Sequence, residues 1–180
     1  MYKRQVYNPS GLNVIDCFQS LQESNEKDWG NHGGTEISNE DLLKLNVNVL
    51  APAAIENVIH DKNANDIQAK LILELANGPI KNAAEKVLEK KGTIIVPDIL
   101  ANAGGVVVSY FEWLQNRHAE EWDIERVEHL LKSKMQLATE KVMALKFEHD
   151  ISIRTATYVL ALERISNANE CLGNSKYFKS

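Results

Sequence analysis

Two asparagines stand where a side-chain amide could do chemistry, Asn77 in Ala-Asn-Gly-Pro and Asn102 in Asn-Ala-Gly-Gly. A carboxamide offers both a donor and an acceptor, the pairing that a ligand's own carboxamide or a ribose requires. Each asparagine follows an aliphatic run and sits among small residues and prolines, in Ala76–Pro79 (ANGP) and Pro97–Gly105 (PDILANAGG). A third stretch of this kind is Ala51–Ala54 (APAA). Small side chains let a flat ligand approach the main chain. Gly104–Gly105 at a helix entrance would also point free backbone N–H groups at an anion or a carboxamide. Any one stretch alone reads as an ordinary turn. Three at equivalent positions point to a ligand crevice.

Other side chains offer less. The five histidines (His32, His60, His118, His129, His149) are scattered with no H-x-x-x-H pair, so no metal site is expected. Cys17 and Cys171 are far apart with no CxxC, which indicates neither a disulfide framework nor a cysteine-rich zinc site. Glu125 and His129 read as a surface pair one helical turn apart. Glu120 and Glu121 read as the start of a solvated helix, and Lys132–Lys141 as a solvated face. Tyr110, Phe111 and Trp113 read as core, and Arg154 and Glu163 as structural residues on closing helices.

The three small-residue stretches follow three β-rich segments: Asn46–Leu50 (NVNVL), Lys70–Leu75 (KLILEL) and Thr93–Val96 (TIIV). The last two are nearly continuous aliphatic runs, as in strands covered on both faces. Ala53–His60 reads as a short helix. Asn82–Lys91 reads as another, with Ala83, Val87 and Lys90 on one face and Gly92 as its stop. Strands alternating with helices at this spacing predict parallel pairing with right-handed crossovers. Open parallel sheets bind ligands outside the carboxyl ends of their strands, which is where the two asparagines fall. Upstream, Ser38–Asp41 (SNED) resembles a capping box with Asp in place of Glu.

Downstream, Val106–Asn116 is apolar enough for a buried helix or a strand. Asp123–Glu148 is a long amphipathic helix, His149–Asp150 a turn, and Ser152–Cys171 a last helix stopped by Gly173. Residues 24–36 read as a polar, Gly-rich loop. No G-x-G-x-x-G occurs, so a dinucleotide site would lack its pyrophosphate-binding half, and the sheet has few strands. The fold class expected is α/β: an incomplete Rossmann-like parallel sheet with helices on both faces, followed by C-terminal helices. Residues 6–116 would form a partial dinucleotide-binding domain, and 117–180 a helical segment packing on it.

Composition narrows the function classes. Of 180 residues, 44% are hydrophobic and 25% charged, which excludes global disorder and suits one α/β domain with a helical extension. A net charge of −5 argues against a nucleic-acid surface built on charge. No apolar run reaches the ~18–20 residues of a membrane span. The opening segment lacks the apolar core of a secretory signal. A cytoplasmic protein with neither membrane nor nucleic acid as partner is expected.

At these residues the sequence resembles the amino-acid dehydrogenases acting on glutamate, leucine, phenylalanine or valine, and the glutamate dehydrogenases most closely. The similarity runs from about Val6 to Gly173. It is carried by VYNPSGLN, EISNEDLL, VNVLAPAAIEN, AKLILELANGP, IIVPDILANAGGVVVSYFEW and ISIRTATYVLALERI. Met1–Gln5 match nothing, and an assembly scar is the reading for them. The resemblance implies the later part of a cofactor domain plus closing helices, and NAD or NADP as cofactor. It places Ala53 and Ala54 against that cofactor, with Asn57 near it. Asn77 would contact the nicotinamide ribose and Asn102 the nicotinamide carboxamide. Gly104, Gly105 and Val106 would line the substrate pocket, and Ser109 would bind the side-chain carboxylate of glutamate.

The implied reaction is oxidative deamination of L-glutamate to 2-oxoglutarate and ammonium, in a homo-oligomer that is a hexamer in the family. The family's catalytic lysine and aspartate belong to a substrate domain, so no catalytic residue is assigned in this chain, and the isolated chain is expected to be inactive. Alternatives are a non-catalytic nucleotide-binding or interaction module, or a dehydrogenase of another amino acid in the same family. Where the family usually has Gly before ANGP and two Thr after it, this chain has Leu75, Ile80 and Lys81.

Overall fold

The computed structural model describes residues 5–23 and 33–171. They divide into two compact units, one drawn from Met1–Val47 with Asp66–Ala69, the other from Asn48–Asn65 with Lys70–Ser180.

In the first unit β1 (Gln5–Tyr7) pairs antiparallel with β2 (Thr35–Ile37), Val6 facing Glu36. The stretch read as loop through Glu36 therefore ends in a strand. Three residues are too few to show a period, and it is pairing with β1 that makes the strand. Residues 24–32 lie outside the described residues. Helix α1 (Val14–Glu23) buries Cys17. Helix α2 (Asn39–Leu43) starts at Ser38, whose Oγ accepts the Asp41 N–H at 3.0 Å and donates to the Asp41 carboxylate at 2.6 Å. The serine half of the expected capping box forms, while the Asp41 carboxylate meets the Ser38 hydroxyl in place of its backbone N–H.

The second unit is built on a parallel sheet of three strands in the order β3 (Val49–Leu50), β4 (Leu71–Leu73), β5 (Ile94–Val96). Leu50, Ile72 and Ile95 stand in register across it and all three are buried, but on the opposite face Val49 and Ile94 are more than half exposed, so the expected cover on both faces is not met. Helix α3 (Asn82–Lys90) joins β4 to β5. It buries Ala84 and Leu88, while Ala83 and Lys90 are exposed, so its inward face is turned by one residue from the expected one. Gly92, at φ +81°, closes the turn that follows.

The N-cap of α3 is Lys81, in the extended conformation a cap requires but with no side-chain capping bond. Threonine there would satisfy one of the helix's open N–H groups. Lys81→Thr is expected to raise unfolding stability by about 1 kcal/mol. Urea denaturation should show the midpoint rising at unchanged slope. An unmoved midpoint would mean that solvent already satisfies the helix end.

From β5 the chain runs through α4 (Asp98–Ala101), α5 (Ala103–His118), α6 (Ile124–His149) and α7 (Ile153–Cys171). The ambiguous Val106–Asn116 is thus helical. Asp123 caps α6 by accepting the Arg126 N–H at 2.8 Å, and Asp150 turns the chain in the left-handed region at φ 50°. Glu120 and Glu121 precede α6 rather than beginning it. Leu100, Val142, Ala156 and Leu160 form a buried cluster, with Val96, Ala138 and Leu145 packed against it. The closing helices are thereby fixed to β5 and α4. Gly173 lies outside the described residues. No helix among the described residues is long and apolar enough to cross a membrane.

Two further expectations are corrected. Ala53–His60 is not a helix, because its amides bond elsewhere: Asn57 N–H donates to Gly78 O and Ile59 N–H to Pro79 O, both at 2.9 Å. Ile59 forms a parallel bridge with Ile80, and Asn57 sits at φ 56°, outside helical geometry. Of the three aromatics read as core, only Phe111 is buried. Tyr110 stacks on Trp113 at 5.8 Å between ring centroids, and both are about half exposed, at 48% and 50%.

Candidate functional site

The loop after β3 and the turn after β4 are bonded to one another. Pro52 O accepts the N–H groups of Leu75 and Ala76 at 3.1 and 2.8 Å, and the Asn57 and Ile59 bonds continue the seam. Next to it Gly78 adopts φ +55°, a conformation that costs an ordinary residue about 1–2 kcal/mol. Its N–H donates to Asp98 Oδ2 at 2.8 Å, tying the turn after β4 to the start of α4. Neighbouring parallel strands therefore present their carboxyl-end loops side by side.

At that junction the two asparagines meet. Asn102 Nδ2 donates to Asn77 Oδ1 at 2.8 Å and to Leu75 O at 3.3 Å. These bonds use the Asn102 donors and an acceptor of Asn77. The Asn102 side-chain oxygen Oδ1 and the Asn77 side-chain amino group Nδ2 have no partner among the described residues, and so remain available as an acceptor and a donor group. Both asparagines line an open cleft of about 580 Å³ with Ala54, Ile55, Glu56, Leu75 and Ala76.

Of the predicted site residues, Ala54, Asn77 and Asn102 are thus brought together, while Ala53 is exposed beside Ala54 and outside that lining. Gly104, Val106 and Ser109 fall elsewhere on α5. A Cβ at Gly104 would stand 3.7 Å from Leu131 Cδ1 of α6. Val106, 69% exposed, lines a separate apolar groove of about 480 Å³ with Ala103, Tyr110, Leu137 and Leu160. Ser109 is exposed and its hydroxyl donates to Gly105 O at 3.1 Å. The expected open helix entrance at Gly104–Gly105 is corrected at Gly105 alone. α4 runs into α5 across Asn102, and the Gly105 N–H donates to Asn102 O at 3.3 Å.

Sequence reasoning missed the ion cluster behind the cleft. Arg154 Nε donates to Glu85 Oε1 at 2.7 Å, Nη2 to Glu74 Oε2 at 2.8 Å and Nη1 to Asp98 Oδ1 at 3.3 Å. Glu74 is fully buried, and its Oε2 also accepts the Asp98 N–H at 2.8 Å while Oε1 has no partner. Burial pushes the Glu74 carboxyl above its usual range, outweighing the opposite pull of Arg154 and the Asp98 N–H. Arg154 is held in its charged form by Glu85 and Glu74, which outweigh its own burial. The signal was a lone glutamate in an aliphatic run. Among the described residues no group of three His, Cys, Asp or Glu is disposed to hold a metal ion.

A family model for glutamate/leucine/phenylalanine/valine dehydrogenases matches residues 3–173. The chain belongs to this dehydrogenase family. The match starts ahead of Val6, so Lys3–Gln5, expected to match nothing, fall within it. Relatives of this dehydrogenase chain include an NADP-specific glutamate dehydrogenase from Synechocystis, 47% identical over 97% of the chain and 42% of the relative. An NAD-specific glutamate dehydrogenase A from Halobacterium salinarum is 42% identical over 93% of the chain and 38% of the relative. Among solved structures, the hetero-hexameric glutamate dehydrogenase from Thermus thermophilus superposes with a TM-score of 0.83 at 27% identity, covering 92% of this chain and 38% of that one. The chain thus spans about two fifths of the length of the dehydrogenases it matches. The family comprises amino-acid dehydrogenases, which are oxidoreductases, and the small parallel sheet with its helices matches part of their fold.

Proposed function

We propose that this chain supplies the nicotinamide-facing part of an NAD or NADP site and one wall of the substrate pocket in a glutamate dehydrogenase. The observation that carries the reading is the Asn77–Asn102 pair at the carboxyl ends of adjacent parallel strands. Its unengaged acceptor and donor suit a carboxamide and a ribose hydroxyl. Ala54 and Ala76 keep the cleft wall low enough for a flat ring. A bound nicotinamide would accept the hydride in the oxidative deamination of L-glutamate to 2-oxoglutarate and ammonium. Asn102 would accept from the carboxamide and so choose which ring face is presented. Asn77 would donate to the ribose, with Ala53 and Ala54 in contact beside it.

Gly104, Val106 and Ser109 would wall the substrate side, the Ser109 hydroxyl leaving Gly105 O to meet a carboxylate. In this reading residues 6–116 form the partial cofactor domain and 117–180 the helical segment packed on it. The whole protein would be a cytoplasmic homo-oligomer, a hexamer, and this part alone would not turn over, since the family's catalytic lysine and aspartate belong to a substrate domain.

Titration of the purified chain with NADH and NADPH tests the reading. Binding of at least one is expected, and Asn102→Ala should weaken it about tenfold, the equivalent of one hydrogen bond. Equal affinity in the variant would remove Asn102 from the site. Glutamate-dependent NADH formation by this chain would refute the claim that it is inactive alone.

A further inference from the structure

We propose that Asp98 of α4 and Arg154 of α7 are positioning residues for the asparagine pair, and so, resting on the nicotinamide reading above, for the cofactor. Asp98 reaches both asparagines without touching the cleft. Its Oδ2 accepts the N–H of Gly78, the residue that follows Asn77, at 2.8 Å. Its main-chain carbonyl accepts the Asn102 N–H at 3.0 Å. The separation of the two side-chain amides, 2.8 Å across their own bond, is therefore set by where Asp98 stands.

Asp98 is held in turn. Arg154 Nη1 donates to its Oδ1 at 3.3 Å, and its own N–H donates to Glu74 Oε2, which Arg154 Nη2 also contacts at 2.8 Å. Nε anchors the guanidinium to Glu85 of α3 at 2.7 Å. One planar fork thus joins α7 to β4's carboxyl end, to α3 and to α4.

Stability alone is a poor reason for such a cluster, because well-packed apolar side chains often serve a buried position as well or better. What apolar residues could not supply is the acceptor for the Gly78 amide. Through Asp98 the cluster's bonds end at Gly78, next to Asn77, and at the main chain of Asn102, and that is the placement a positioning role requires.

The test uses the full 180-residue chain, isotopically labelled, as wild type, Asp98→Asn and Arg154→Lys. Asp98→Asn keeps the side chain's shape and turns one of its two acceptors into a donor. Arg154→Lys keeps the charge and loses the fork. Three quantities are read in each: the Asn77 and Asn102 side-chain amide resonances, the exchange rate of the Gly78 amide, and the NADH dissociation constant. In Asp98→Asn the Gly78 amide should exchange about tenfold faster, both asparagine resonances should shift, and the dissociation constant should rise about tenfold. Arg154→Lys should fall between it and wild type.

If either variant is folded by its helical circular dichroism and leaves the resonances and the Gly78 exchange at wild-type values, the proposal is wrong. It is equally wrong if NADH affinity drops while those signals stay put, since the loss would then come from general destabilisation. Should the wild-type chain bind no NADH while the variants still shift the asparagine signals, positioning of the pair stands and the nicotinamide reading falls.

Discussion

Arg154→Met is expected to destabilise the folded chain by about 3–5 kcal/mol, because it strands the buried Glu74 carboxylate without its cation. Methionine fills comparable volume, so the loss is one of charge pairing more than packing. Glu85 and Asp98 lose the same partner, but they retain some exposure to water, whereas Glu74 has none. The deficit must depend on pH. Burial raises the Glu74 pKa in the folded state, so its stabilising contribution is complete below the unfolded value and is lost as pH rises through the folded one. In the wild type Arg154 opposes that loss, and in the variant nothing does. The deficit is therefore largest at high pH and shrinks on acidification, as the stranded carboxyl takes up a proton. Urea midpoints at about pH 5 and about pH 8 measure it. A deficit that is the same at both, or that grows in acid, would mean that Glu74 is not its source. Glu74→Gln, which needs no cation, should cost far less.

How much of this was legible in the sequence differs between elements for physical reasons. The runs Lys70–Leu75 and Thr93–Val96 showed as strands because aliphatic and β-branched residues dominate both, even though Glu74 interrupts the first and Ile94 is half exposed in the second. Ala53–His60 did not, because its fate depends on Gly78 and Pro79, about twenty residues on, whose carbonyls take the Asn57 and Ile59 amides. Val106–Asn116 holds β-branched and aromatic residues that satisfy either reading, and packing against α6 decides for helix. Trp113 was misread because an aromatic with a cation over its ring, here Arg117 at 5.0 Å, can remain half exposed.

The site was legible in part. Residue type singled out Asn77 and Asn102, and parallel pairing of β4 with β5 is what turns two separate loops into one 2.8 Å contact. Spacing along α5 could not show that Val106 would line the apolar groove while Ser109 bonds back to Gly105. Glu74 carried a sequence signal, an acid amid aliphatics, but its partner lies 80 residues away. Such a partner becomes visible only once α7 is folded against the sheet.

Phe111→Ala is expected to cost about 3–5 kcal/mol, the range for truncating a buried aromatic. Phe111 is 2% exposed and its ring meets Trp122 at 5.7 Å in a tilted arrangement, which adds to the area it buries. Trp122 is held from several sides. Gln115 Oε1 accepts its backbone N–H at 2.7 Å, Glu120 accepts from its indole at 2.8 Å, and Arg126 lies over its ring at 4.1 Å. With so many restraints Trp122 is poorly placed to collapse into the space a missing phenyl ring leaves, so the cavity should persist and the cost should fall high in the range. Phe147 supplies the control, the same residue type on α6 but 72% exposed, and Phe147→Ala should change stability by less than about 0.5 kcal/mol. Denaturant unfolding of the two variants side by side separates burial from chemistry. Similar losses would show that the contact between Phe111 and Trp122 does not hold the α5–α6 corner. Since α5 also carries Asn102 at its start, a loosened corner should weaken nucleotide binding in Phe111→Ala and leave it unchanged in Phe147→Ala.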